Sequence, residues 1–123
     1  MRMWMVDPII LCTKGSHLQG EHSEIHKHKH NFEKHHSIDG RMSPVIQIEP
    51  SSMQARHDAL AAELLRRGGT HKSPYTAPDI SYLPEWQQNA EVDQESALHE
   101  LLIKCQHCRE RYAKYFVKNK KSA

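Results

Sequence analysis

Apolar residues recur at helical spacing in three separate stretches of this chain, and long polar connections divide them. The middle stretch is the most regular. Met53, His57, Leu60, Ala61, Leu64 and Leu65 follow one another mostly at steps of three and four, the period that lines side chains along one helix face. Pro50, Ser51 and Ser52 precede it, Ser51 and Gln54 have the form of a capping box, and Gly68-Gly69 supplies the stop. A last stretch starts near Asp93, a good N-cap. It carries Leu98, Leu101, Cys105, Cys108, Tyr112 and Tyr115 as one unbroken core stripe to about Phe116. The first stretch, roughly Ser16 to His30, has only Leu18 and Ile25 as apolar positions, so one face packs and the rest stays polar. Gly20 in its middle costs about 1 kcal/mol against alanine, which either a close neighbour or simple tolerance accounts for. Of the connections, Ile46 to Glu49 alternates apolar with polar and fits a short strand or an extended loop. The other holds Pro74, Pro78 and Pro84 between Tyr75, Tyr82 and Trp86, and is expected to pack over the helices. The pattern predicts an all-α, single compact domain of three main helices with long loops over residues 1–117, then a basic tail, 118–123.

Composition narrows this further. With 37% hydrophobic residues in 123, and a mean hydropathy of −0.78, the core is lean and the surface wet. Three cysteines are an odd number, and with no export signal in view they suit a reducing cytoplasmic setting. The apolar start MRMWMVDPIILC is broken by Asp7-Pro8 and is too short to span a membrane. Net charge is only +2 but unevenly placed: seven Lys/Arg against Glu110 alone from Lys104 onward, while Asp79 to Glu100 is acidic. Such asymmetry suits a surface that meets a polyanion, although basic tails are common.

Chemistry concentrates in HLQGEHSEIH, residues 17–26, which puts Glu24 between His22 and His26 with His17 two turns upstream. A carboxylate flanked by imidazoles is a ready acid/base centre near neutral pH. The same helix carries His22, His26 and His30 at i, i+4 and i+8, a spacing that also chelates Zn²⁺ or Ni²⁺. The pattern is H-x-E-x-H rather than H-E-x-x-H. Glu24 therefore lies about 200° around the helix from His22, away from any metal-bound water. The tract His28 to His36 reads more simply as a solvated or phosphate-facing surface. Cys105-Gln-His-Cys108 looks like half a zinc ribbon, for which His107 or His71 could supply further ligands; as core-stripe residues, both cysteines also fit as small hydrophobes. His57 reads as a core histidine, and Arg66 and Arg67 as helix-end cations. No phosphate-cradling glycine loop and no G-x-S-x-G elbow occurs.

Taken together, the start MRMWMVDP, the segment KGSHLQGEHSEIHK, the run RHDALAAELLRRGGTHKSP with PDISYLPE, and RERYAKYF near the end resemble the pyrimidine-dimer DNA glycosylase/AP lyase family of the phage endonuclease V type. Their order and spacing cover most of the chain. The resemblance implies a helical, metal-independent, cofactor-free and monomeric enzyme. Its partner would be double-stranded DNA carrying UV damage or abasic sites, in a cytoplasm or at the nucleoid of a bacterial or phage-infected host.

Glu24 matches the family's catalytic glutamate, His17 a histidine lining the site, and Lys27 a DNA-contacting arginine. Ser23 stands where a further DNA-contacting arginine is usual, and His22 and His26 are candidates to replace that contact. The family's nucleophile is the α-amine of a small residue exposed by methionine removal. Arg2 is too bulky for that removal, so the candidate amine is that of Met1, and an α-amine of pKa about 7.7–8.0 is partly neutral at physiological pH. Phosphate contacts are expected from Arg2, Lys27, Arg41, Arg66, Arg67, Lys72, Arg109, Arg111 and Lys114. Two other readings start from the histidines: a metal-dependent nuclease or hydrolase using His22, His26 and His57 or the cysteine pair, and a non-catalytic His-rich DNA- or metal-binding protein.

Overall fold

The computed structural model describes residues 2–71 and 74–117. Met1, Lys72 and the tail 118–123, named above, lie outside the described residues. Helix is 59% of the structure with no strand among the described residues, so the chain is all-α. Helix α1 runs His17–Glu33, α2 Met53–Arg66, α3 Glu85–Gln88, α4 Gln94–Lys104 and α5 Gln106–Tyr112, followed by a π-helical turn, Ala113–Val117. Short 3-10 turns at Pro8–Ile10, Asp39–Arg41 and Pro50–Ser52 punctuate the connections.

α1 packs on α2, and α5 packs on the turn Pro8–Ile10, so segments far apart in sequence close over one core. Leu18, Ile25 and Phe32 of α1 meet Met53 and Leu60 of α2, with Met3, Leu11, Ile48 and Leu101 around them, all fully buried. Phe32 explains why α1 outruns the expected end at His30: one more turn buries a large ring, a gain of roughly 2 kcal/mol. Arg67 and Arg111 fasten the first turn, donating to the carbonyls of Pro8 (3.1 Å) and Ile9 (2.7 Å). Inside, Arg56 of α2 donates through Nε to Glu21 of α1 at 2.6 Å and through Nη1 to Val6 O at 2.7 Å.

Two local expectations change. The last helix is broken at Cys105, which takes an extended conformation (φ −124°, ψ 109°) and caps α5 with its sulfur on Cys108 N–H. Both cysteines are buried, as a core stripe requires, but the stripe spans two helices. Ser51 and Gln54 form no capping box. Ser51 Oγ donates to Gln88 O, and Gln54 bridges Asp58, Tyr75 O and Ala77 N–H, pinning the proline-rich loop to α2. Of the two alternatives for Ile46–Glu49 the structure takes the extended loop, in which Gln47 O accepts from Met3 N–H at 2.8 Å and Gln47 N–H donates to Arg41 O at 2.8 Å. The proline-rich loop does pack, with Tyr75 and Leu83 buried and Tyr82 donating to His36 O, while Trp86 stays exposed.

Candidate functional site

The 100° step of α1 separates its functional side chains onto two flanks of the buried stripe. His17, Glu24 and His28 fall within about 40° of one another on one flank, and His22 and His26 on the other.

On the first flank Glu24 is 4% exposed. His28 Nε2 stands 3.4 Å from its Oε1, and Arg41 Nη2 stands 3.9 Å away. His28 is itself buried, contrary to the solvated surface expected of it; His30, His35 and His36 are exposed. Burial lowers the His28 pKa from its ordinary value, against the opposing pull of Glu24, so the carboxylate has a neutral imidazole on one side and a permanent cation on the other. The chain start is tied to the same place. Met3 bonds Gln47, Gln47 bonds Arg41, and Arg41 reaches Glu24. Nearby, a cleft of about 290 Å³ opens between Arg2, Trp4, Gly15, Ser16, His17, Gly20 and Glu21. Trp4 meets His17 edge-on at 5.7 Å, and Arg2 lies over the Trp4 ring while pairing with Glu100 at 2.8 Å. Gly20 lines this cleft.

His17 also belongs to a second group. Its Nδ1 lies 3.4 Å from Cys12 Sγ and 3.5 Å from Cys108 Sγ, and Cys12 Sγ lies 3.6 Å from Cys105 Sγ. The four ligand atoms are all within 4.8 Å of one another. The backbone N–H of Gly15 donates to Cys12 Sγ at 3.2 Å, and that of Cys108 to Cys105 Sγ.

The other flank brings together His22 and His26 of α1, His57 of α2 and His71 beyond it, again within 4.8 Å. Their rings stand 4.8–4.9 Å apart in five of the pairings. Burial first, and then the neighbouring imidazoles, lower the His22 pKa to about 4, so it is neutral at pH 7. His57 Nδ1 faces Asp58 Oδ1 at 3.0 Å, while its Nε2 faces His71 Nε2 at 3.2 Å. The Nε2 atoms of His22 and His26 are buried without a hydrogen-bond partner. Tyr75 stacks on His57 at 4.6 Å, closing the group from the loop side. His22 and His26 thus turn toward other histidines.

Most cations expected on phosphate are engaged within the protein. Arg66 and Arg67 pair with Glu63, Arg109 donates to Leu102 O at 2.7 Å, and Arg111 holds Ile9 O. Lys114 lies over Tyr115 and, with Lys14 and Arg111, lines a second cleft beside Cys12. Lys27 is exposed one turn after Ser23. His107 pairs with exposed Glu110 and takes no part in the cysteine group, and His71 joins the histidines instead. What spacing missed is that Cys12 and His17 complete the half-site at Cys105/Cys108; the only sequence signal was that one C-x₄-H and one C-x-x-C use up all three cysteines. Set against family models, curated proteins and solved structures, the chain matches none of them.

Proposed function

We propose that the protein is a DNA-repair N-glycosylase with AP lyase activity, acting on pyrimidine dimers or on the abasic sites they leave. The observation that supports this most is the buried Glu24 carboxylate, held between Arg41 and His28 at the place to which the start of the chain is tied. The motif resemblance assigns the same residue the same part.

In this reading a neutral α-amine, that of Met1, attacks C1′ of the damaged nucleotide. The C1′–N bond breaks, and its electron pair leaves with the base, which takes up a proton. The amine loses a proton and the sugar ring opens to give a protonated imine. Glu24 stabilises the cationic sugar as it forms; a preorganised charge of this kind typically accounts for 10²–10³ in rate, about 3–4 kcal/mol. A base then removes a C2′ proton, the C3′–O bond breaks with the 3′ phosphate leaving, and water hydrolyses the imine. Neutral His28 is suited to receive a proton passed from Glu24. Damaged nucleotides stack poorly and are easier to extrude, which contributes selectivity. Ser23 in place of an arginine leaves Lys27, Arg41 and Arg2 as the nearer cations for the strand.

The test is borohydride trapping on a duplex with one abasic site, in the presence of EDTA. A covalent protein–DNA band that maps to the N-terminal peptide is the expected result. A folded protein that gives no band overturns the reading.

A further inference from the structure

We propose that the chain holds two metal ions, zinc in the tetrad Cys12, His17, Cys105 and Cys108, and a second divalent ion in the tetrad His22, His26, His57 and His71. The two inferences rest on different observations.

For the first, the distances are those of a coordination shell. Zinc binds thiolate at about 2.3 Å and imidazole at about 2.0–2.1 Å in a tetrahedron. The edges of such a tetrahedron are about 3.8 Å between sulfurs and about 3.5 Å from sulfur to nitrogen. The structure has 3.6 Å for Cys12–Cys105, and 3.4 and 3.5 Å from His17 Nδ1 to Cys12 and Cys108. Hydrogen bonding alone explains this poorly, since thiols are weak donors and acceptors. Two further features belong to thiolate ligands. Backbone N–H groups of Gly15 and Cys108 donate to Cys12 and Cys105 sulfurs, which offsets the charge on sulfur. A Cβ at Gly15 would stand 2.9 Å from Cys12 Sγ, 3.3 Å from Cys105 Sγ and 3.5 Å from His17 Nδ1, so the loop needs a residue without a side chain there. Three thiolates and one imidazole fill four positions and select zinc, in a closed site that is structural rather than hydrolytic.

For the second, four imidazoles converge where only a cation would use them all. The Nε2 atoms of His22 and His26 are buried with no partner, a costly state for a polar group. His57 Nε2 and His71 Nε2 are 3.2 Å apart, close to the roughly 3.3 Å edge of a tetrahedral imidazole site. Asp58 on His57 Nδ1 fixes that ring with Nε2 bare and pointing inward, the carboxylate–histidine–metal arrangement. Imidazole-only ligands suit zinc, copper or nickel, and the measured metal decides among them.

The consequence for the chemistry above is specific. His17 becomes a positioning residue, held by zinc beside Trp4 and the cleft, and Glu24 is left as the acid/base group.

The experiment is elemental analysis of untagged protein purified without metal-affinity resin or chelator. Wild type is expected to carry one zinc in the cysteine site and one ion in the histidine site, two in total. Cys108→Ser is expected to retain only the second, and His71→Ala only the first, both with wild-type helical content by circular dichroism. Because either variant could fail to fold, wild type stripped and reloaded with Co²⁺ provides the second measurement. A thiolate-to-cobalt charge-transfer band supports the cysteine site, and its absence overturns that site. Imidazole proton resonances broadened or shifted by Co²⁺ at all four of His22, His26, His57 and His71 support the histidine site. Their silence, or a single ion lost in Cys108→Ser and kept in His71→Ala, overturns it. Neither outcome depends on imine trapping, so the metal sites and the lyase reading stand or fall separately.

Discussion

Glu24 and Glu21 sit one turn apart on α1, both buried, and physical chemistry assigns them opposite work. Glu21 is satisfied twice over by Arg56, which also caps the Val6 carbonyl, so its charge is neutralised in place and serves the α1–α2 contact. Removing one partner strands the other: Arg56→Met is expected to lower stability by about 3–5 kcal/mol, read as a fall in the urea midpoint. Glu24 has looser neighbours, 3.4 Å from His28 and 3.9 Å from Arg41, which leaves acceptor capacity for the cationic sugar of the proposed reaction. Glu24→Gln is nearly isosteric and is expected to reduce imine trapping by about a hundredfold or more. Duplex binding, measured by anisotropy, should change little, which separates chemistry from folding and affinity. The concentration of titratable groups around Glu24 was legible in HSEIH. That His28 would be buried beside it was not, because a tract of alternating His and Lys reads as solvent-facing until Phe32 draws the helix further into the core.

At the scale of elements, α2 forms where its periodicity says and buries Met53, His57, Leu60 and Ala61 at the predicted spacing, while Leu65, counted on the same face, is exposed. The break between α4 and α5 was hidden for a physical reason. Cys105 and Cys108 continue the three-and-four step of the stripe, and period alone cannot distinguish a helix from a knuckle that turns both sulfurs to one point. Their missing partners lie near the other end of the chain, at Cys12 and His17, beyond the reach of any local pattern. The loop between those two partners is sensitive to sequence. Ser16 there is left-handed (φ 63°), and Gly15 faces three of the four ligand atoms. Gly15→Ala is expected to lower both zinc content and thermal midpoint. Gly40→Ala, at a position with nothing within 4 Å, should leave both unchanged. Differential scanning fluorimetry with elemental analysis makes the comparison.

Over the whole molecule, a lean core and two tetrads divide the task of holding helices together. Stripping both ions with chelator is expected to lower the thermal midpoint by roughly 10 °C or more, since a ligand at a hundred times its Kd contributes about 2.7 kcal/mol. DNA engagement in the proposed reading scales differently, through the outer cations. With most arginines committed internally, exposed Lys27 is the clearest remaining contact, and Lys27→Ala should flatten the log–log salt dependence of duplex binding by about 0.9. The all-helical class and the single core were readable from pattern, whereas the joining of the two ends was not. That joining bears on how the chain is made. The histidine ligands are all synthesised by residue 71, while the cysteine ligands wait for residue 108. Because the enclosed loop is shorter and its parts are present first, the inner clip closes before the outer one. A ribosome that slows between them therefore displays α1 already pinned to α2, with the Cys12 thiol still waiting for its partners and open to oxidation.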